Sequence, residues 1–167
     1  MTMQRLEKIT PHLWFVKEAE EAAQFYASIF PDSHVDRVTA MPSDSPSGPA
    51  GSVKVVEFTL FGQQFLAISA GPLDSFNHSI SFVVNCEDQK EIDRYWEALL
   101  KGGQAEQCGW LKDKYGVSWQ IVPTELRRMM ADPDRDKARR ATDAMLKMVK
   151  LDIAGLKSAY EMRSRQR

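Results

Sequence analysis

Phe61-Gly62-Gln63-Gln64-Phe65-Leu66-Ala67-Ile68-Ser69 and Tyr115-Gly116-Val117-Ser118-Trp119-Gln120-Ile121-Val122 decide how this chain is read. In each stretch an aromatic–glycine pair precedes a short run rich in apolar residues, and in the second stretch apolar and polar residues alternate. Alternation marks a half-buried strand, and the glycine supplies the positive φ that a tight turn requires. The two stretches superpose at a constant offset. Phe61-Gly62 falls on Tyr115-Gly116, and Phe65 falls on Trp119. A recurrence of this kind fixes an architecture before any single element does.

Working outward, the same order of elements precedes each hairpin. Ile9 to Val16 reads as a strand, Glu18 to Ile29 as a helix and His34 to Thr39 as a second strand. Pro42 to Gly51, dense in Pro, Ser and Gly, reads as a loop. Ser52 to Leu60 and Gln64 to Ser69 complete the first set, with the tight turn at Phe61-Gly62-Gln63. The second set has a strand at Ser79 to Val84 and a helix at Asp88 to Lys101, ended by Gly102-Gly103 as a left-handed cap would end it. Strands at Gln107 to Lys112 and Val117 to Val122 follow, and Pro123 closes the set. Both helices carry an aromatic pair, Phe25-Tyr26 and Tyr95-Trp96. The rest departs from the repeat. Asp132-Pro133 reads as a helix start, with Ala138, Ala141, Met145 and Met148 on one face. Asp152 caps a further short helix carrying Ile153, Leu156 and Tyr160. Arg163 to Arg167 reads as a solvated tail. The expectation is an α+β fold of paired βαβββ modules, about 6–70 and 78–123, plus a C-terminal helical extension over about 124–163, in one domain.

With 167 residues and a net charge of −1, the chain offers no basic field for nucleic acid. Two cysteines, Cys86 and Cys108, are too few for a disulfide framework, and no apolar run approaches a membrane span. The start, Met-Thr-Met-Gln-Arg-Leu-Glu-Lys, carries charge where a secretion signal needs an apolar core. A cytoplasmic protein without membrane or nucleic-acid partners is expected.

Ile-Thr-Pro-His-Leu-Trp-Phe (9–15), Ala-Ala-Gln-Phe-Tyr (22–26), the run from Cys108 to Pro123 and Ala-Met-Leu-Lys-Met (144–148) resemble the PhnB-like branch of the glyoxalase/bleomycin-resistance/dioxygenase superfamily. That branch is often labelled 3-demethylubiquinone-9 3-methyltransferase. The resemblance covers nearly the whole chain. It implies paired βαβββ modules curled around a cavity, in a homodimer. It leaves the activity open, because one fold hosts many functions. The methyltransferase label gains nothing from the residues: nine glycines contain no G-x-G, and the order of elements is not that of an S-adenosylmethionine domain.

Enzymes of this superfamily hold a divalent metal with His and Glu from the first and last strand of each module. Alignment of landmarks puts those positions at Pro11, Leu66, Ser79 and Gln120, which supply no imidazole and no carboxylate. No metal and no other cofactor is expected on this register. A one-residue slip would change it, since it turns a side chain to the opposite face. His12 and His78, helped by Glu57 or Asp113, would then be the ligands of a metal-assisted isomerase or dioxygenase. Otherwise His12 packs under a helix and His78 sits in the solvated entry to its strand.

On the same parity Leu13, Phe15, Leu66, Ser79, Ser81, Ser118 and Gln120 line a mostly apolar pocket for a small organic molecule, joined by Val83, Gln64, Ile68 and Val122. The competing interior is filled and takes no ligand. Trp14, Val16, Phe82, Val84 and Trp119 then pack against the helices. Cys108 reads as an inert thiol, and Cys86 has less still to recommend it as a nucleophile. Three functions follow: a homodimeric small-molecule binder without metal, which is favoured; an enzyme, metal-assisted or the transferase of the family label; and an assembly module using Met145, Met148 and Leu156.

Overall fold

A computed structural model describes residues 7–162; the tail from Arg163 to Arg167 lies outside them. The chain forms two compact units that meet in sequence between Ser75 and Phe76.

Module one runs β1 (His12–Phe15), α1 (Ala19–Ile29), β2 (His34–Ala40), β3 (Lys54–Leu60) and β4 (Gln63–Ser69). Its sheet has the order β1-β4-β3-β2, with β1 parallel to β4 and the other pairs antiparallel. A two-residue turn, Phe61-Gly62, joins β3 to β4, and its φ values of 49° and 77° are the pattern of a type I′ turn. Phe61 tolerates its positive φ with its ring 5.0 Å from that of Phe30. The segment between β2 and β3 is irregular, as its Pro, Ser and Gly content predicts, apart from a bridge between Ser45 and Gly48.

α1 settles which face of this sheet is buried. Its first N–H, of Ala19, donates to the Ser69 hydroxyl at 3.0 Å, so Ser69 faces the helix. Ser69 pairs with Phe15, and Ala67 with Leu13 and Val56, which places all of them on that face. There Leu13, Phe15, Val56, Phe58, Leu60, Phe65 and Ala67 are buried with Ala22, Ala23, Tyr26 and Ile29 of α1. Each large side chain so enclosed contributes about 1.5–3 kcal/mol.

Module two runs β5 (Ser81–Cys86), α2 (Gln89–Leu100), β6 (Gln104–Ala105), β7 (Trp110–Lys112) and β8 (Ser118–Pro123), in the order β5-β8-β7-β6. β5 is parallel to β8, as β1 is to β4. The expected doubling of a βαβββ unit is therefore what the chain forms. The Asp88 carboxylate accepts the Glu91 N–H at 2.9 Å, and Glu91 in turn accepts the Glu87 N–H at 2.7 Å, which satisfies the start of α2 from both sides. α2 covers Val84, Cys86, Leu111, Trp119 and Ile121 with Ile92, Tyr95, Trp96 and Leu99.

α3 (Thr124–Met130), α4 (Arg135–Met145) and α5 (Ile153–Glu161) follow. α3 is an element that the sequence reading missed. α4 starts later than Asp132 suggests, because Asp134 is its cap and accepts from the Asp136 and Lys137 N–H groups, both at 3.1 Å. Asp132 instead accepts the Tyr160 hydroxyl. Leu126, Met129, Ala141, Leu151 and Leu156 form a core of their own, with Met145, Met148 and Tyr160 against it. The extension is tied down by main-chain bonds from Cys108 and Gly109 to the carbonyls of Met148 and Val149, both at 2.8 Å. Cys108 and Gly109, at φ of 60° and 81°, are the central residues of a turn closed by the Trp110 N–H on the Gln107 carbonyl at 3.1 Å, and β7 accordingly begins at Trp110 rather than Gln107.

Candidate functional site

In each module the sheet face away from its helix carries the polar and half-buried positions. On module one, pairing puts His12 beside Leu66, Leu66 beside Glu57 and Glu57 beside Arg37. The next row is Trp14, Ile68, Val55 and Thr39. This corrects the parity of the first strand. Leu13 and Phe15, expected to line a pocket, lie under α1 in the core, 8% and 3% exposed. His12 and Trp14 occupy the open face in their place. The physical cause is that a strand alternates strictly, so a landmark alignment one residue out inverts it. In β4 the parity holds: Gln64, Leu66 and Ile68 are half-buried on the open face. Glu57 is engaged there by Arg37 at 2.5 Å, and that hydrogen bond and charge hold the guanidinium above its ordinary pKa.

On module two the open face is richer. One row across the sheet is Ser81, Ser118, Lys112 and Gln104; the next is Val83, Gln120 and Trp110. The Glu106 N–H donates to the Trp110 carbonyl at 2.9 Å, which continues the β6–β7 register and puts the Glu106 side chain beside Trp110. The Gln120 amide donates to the Ser81 hydroxyl at 2.9 Å. Ser118, 1% exposed, has no hydrogen-bond partner for its hydroxyl among the described residues. Ser79 is not in this row. It lies in an exposed turn ahead of β5, where its N–H donates to Asn77 at 2.8 Å.

His78 lies in the exposed turn ahead of β5, the solvated entry that the sequence suggested, with a partner that the sequence did not suggest. It precedes β5, at one edge of the sheet, yet its Nε2 lies 2.8 Å from both carboxylate oxygens of Glu106, beyond β6 at the other edge. Three strand spacings, roughly 14 Å, separate those edges. The His78 segment therefore folds back across the open face, and its ring lies 6.2 Å from that of Trp110. Lys112 approaches the same carboxylate at 4.0 Å. No sequence signal ties His78 to Glu106, since neither lies in a motif.

A divalent metal of the kind this superfamily uses needs paired His and Glu on the open faces. The first- and last-strand positions that pair are His12 with Leu66, and Val83 with Gln120. One imidazole and no carboxylate among four positions does not fit such an ion. His78 is held by Glu106, and Glu57 by Arg37. Among the described residues no group of three or more His, Cys, Asp or Glu is placed to hold a metal. Asp113, the other carboxylate weighed as a ligand, is buried and serves the β7–β8 turn. It accepts the Tyr115 and Val117 N–H groups at 2.9 and 3.0 Å and the Trp119 indole N–H at 2.9 Å.

Cys86 is enclosed under α2; burial first, then the nearby Glu91, Asp88 and Glu87 charges, push its thiol up to about 12. At neutral pH it carries no thiolate to attack with. Among the described residues no helix is long and apolar enough to cross a membrane.

The family model for 3-demethylubiquinone-9 3-methyltransferase matches residues 7–122. Among solved structures, the PhnB protein from Bacillus cereus is 35% identical, with a TM-score of 0.63 over 71% of this chain and 100% of its own. Protein PA1353 from Pseudomonas aeruginosa, 22% identical over 71% of this chain and 98% of its own, and the fosfomycin resistance protein FosX from Listeria monocytogenes, 13% identical over 77% and 100%, share the fold, each with a TM-score of 0.54. No curated protein matches the chain. The family match stops before α3, so the extension carries none of it, although Ala144 to Met148 contributed to the resemblance. The repeated βαβββ module, the match over both modules and the identity to the Bacillus protein place this chain in the PhnB-like 3-demethylubiquinone-9 3-methyltransferase family of the glyoxalase superfamily.

Proposed function

We propose that the protein binds a small organic molecule on the open face of module two, without a metal. The observation that carries this is the Ser118 hydroxyl, buried and without a hydrogen-bond partner among the described residues. Burying such a group unpaired costs about 1–3 kcal/mol, and a ligand atom that meets it recovers that cost. Its neighbours suit a ligand. Ser81, already accepting from Gln120, keeps its own proton to donate; Lys112 adds a cation; Trp110 and Val83 supply apolar surface. Leu66 stands on the open face of module one, while Leu13 and Phe15 belong to the core and drop out of this proposal. The methyltransferase label of the family gains no further support, since neither sheet opens on a glycine-rich turn.

The test is native mass spectrometry of protein as purified, followed by quenching of tryptophan fluorescence with butyrate and butyramide as probes. An organic adduct, or saturable quenching that Ser118→Val weakens about tenfold, supports the reading; that factor corresponds to about 1.4 kcal/mol, one hydrogen bond. No adduct, together with quenching that Ser118→Val leaves unchanged, overturns it. The chain is also proposed to be a homodimer. β5 is an edge strand of its sheet with exposed Ile80 immediately ahead of it, which a second copy would cover.

A further inference from the structure

We infer that His78, oriented by Glu106, is a general base that activates water for hydrolysis of a small carboxylic ester held on the open face of module two. This rests on the ligand site proposed above. Glu106 accepts the hydrogen on Nε2, with both oxygens at 2.8 Å, and so fixes the tautomer that leaves a lone pair on Nδ1. No hydrogen bond to Nδ1 is formed among the described residues. The carboxylate, 20% exposed and close to Lys112, also stabilises the imidazolium that proton uptake creates. A half-exposed ion pair adds little stability.

Water is favoured as the proton donor because the His78 side chain is 54% exposed. Abstraction from carbon would call for an enclosed base. The complement to the base is the row Ser81, Ser118 and Lys112 on the same sheet face. Its two hydroxyl protons and one ammonium are the donors that a developing oxyanion requires. Trp110 and Val83, in the next row, offer apolar surface to an acyl chain.

The step balances with water alone. The water oxygen bonds to the carbonyl carbon as its proton passes to Nδ1, and the carbonyl electron pair moves to the oxygen facing the hydroxyl row. The carbonyl then re-forms, the C–O bond to the alcohol breaks, and the alkoxide takes the proton from His78. A carboxylic acid and an alcohol leave, and the imidazole is neutral again.

The experiment follows p-nitrophenyl butyrate hydrolysis by the full chain, with butyramide quenching of tryptophan fluorescence measured in parallel on every variant. The expected result is that His78→Ala lowers kcat by about a hundredfold, the usual worth of a general base. Added imidazole restores the rate in that variant. Glu106→Gln, which touches the base and not the ester, lowers kcat about tenfold and leaves KM unchanged. Hydrolysis that His78→Ala leaves intact, or that imidazole cannot restore, overturns the inference. Saturable butyramide binding with no hydrolysis above buffer overturns it too, while leaving the ligand site standing. Loss of binding in the unaltered protein removes both.

Discussion

Asp113 shows how one buried carboxylate can hold a turn that glycine alone does not. Its two oxygens take the N–H groups of Tyr115 and Val117 and the indole N–H of Trp119, all at 2.9–3.0 Å. Hydrogen bonds to a charged acceptor contribute about 1.5–3 kcal/mol each, and removing the acceptor leaves a buried indole donor unpaired. Asp113→Ala is therefore expected to destabilise the chain by at least about 3 kcal/mol, read from the shift in urea midpoint at constant slope. A loss below about 1 kcal/mol would mean that water replaces the carboxylate. At this scale the sequence was only partly legible. That Ser81, Ser118 and Gln120 face away from α2 could be read from alternation alone. Leu13 and Phe15 were placed on the wrong face, because the neighbours that reveal their parity, Ala67 and Ser69, lie far along the chain.

Among the elements, two glycines at the junctions of elements act for different reasons. Gly62 needs only its φ of 77°, with open space where a Cβ would stand. Gly103, at the end of α2, needs the absence of a side chain. A Cβ there would lie 2.1 Å from the Lys112 carbonyl oxygen, on backbone that cannot yield without parting β6 from β7. Gly62→Ala should cost about 1–2 kcal/mol, the price of a left-handed residue, and Gly103→Ala distinctly more. Thermal unfolding of the two variants side by side measures the difference. Equal losses would show that β6 is free to move. The sequence marks Gly102-Gly103 as a helix end. That the second glycine is set by a neighbouring strand is a fact of packing. α3 went unread for a similar reason: its burial of Leu126 and Met129 is completed by Leu151 and Leu156 further along the chain.

For the whole molecule, the donor set on the open faces predicts purified protein with no stoichiometric divalent metal, checked by elemental analysis. Native mass spectrometry of the same sample is expected to show the dimer. About one equivalent of metal per chain, removed by His12→Ala or His78→Ala, would falsify the metal-free reading. A monomer at micromolar concentration would defeat the proposed dimer.

What the sequence determined by itself was the doubling of the βαβββ module, the helix-facing aromatics of module two and the family. The first two follow from short-range patterns, alternation, helical spacing and turn glycines, repeated at a constant offset; the family follows from the resemblance of stretches such as 9–15, 22–26 and 108–123. What only the tertiary structure decided was the facing of β1, the folding of His78 across its sheet onto Glu106 and the missing partner of Ser118. These depend on which distant strands lie side by side. A side chain that reverses faces on a one-residue slip carries no local mark of the choice.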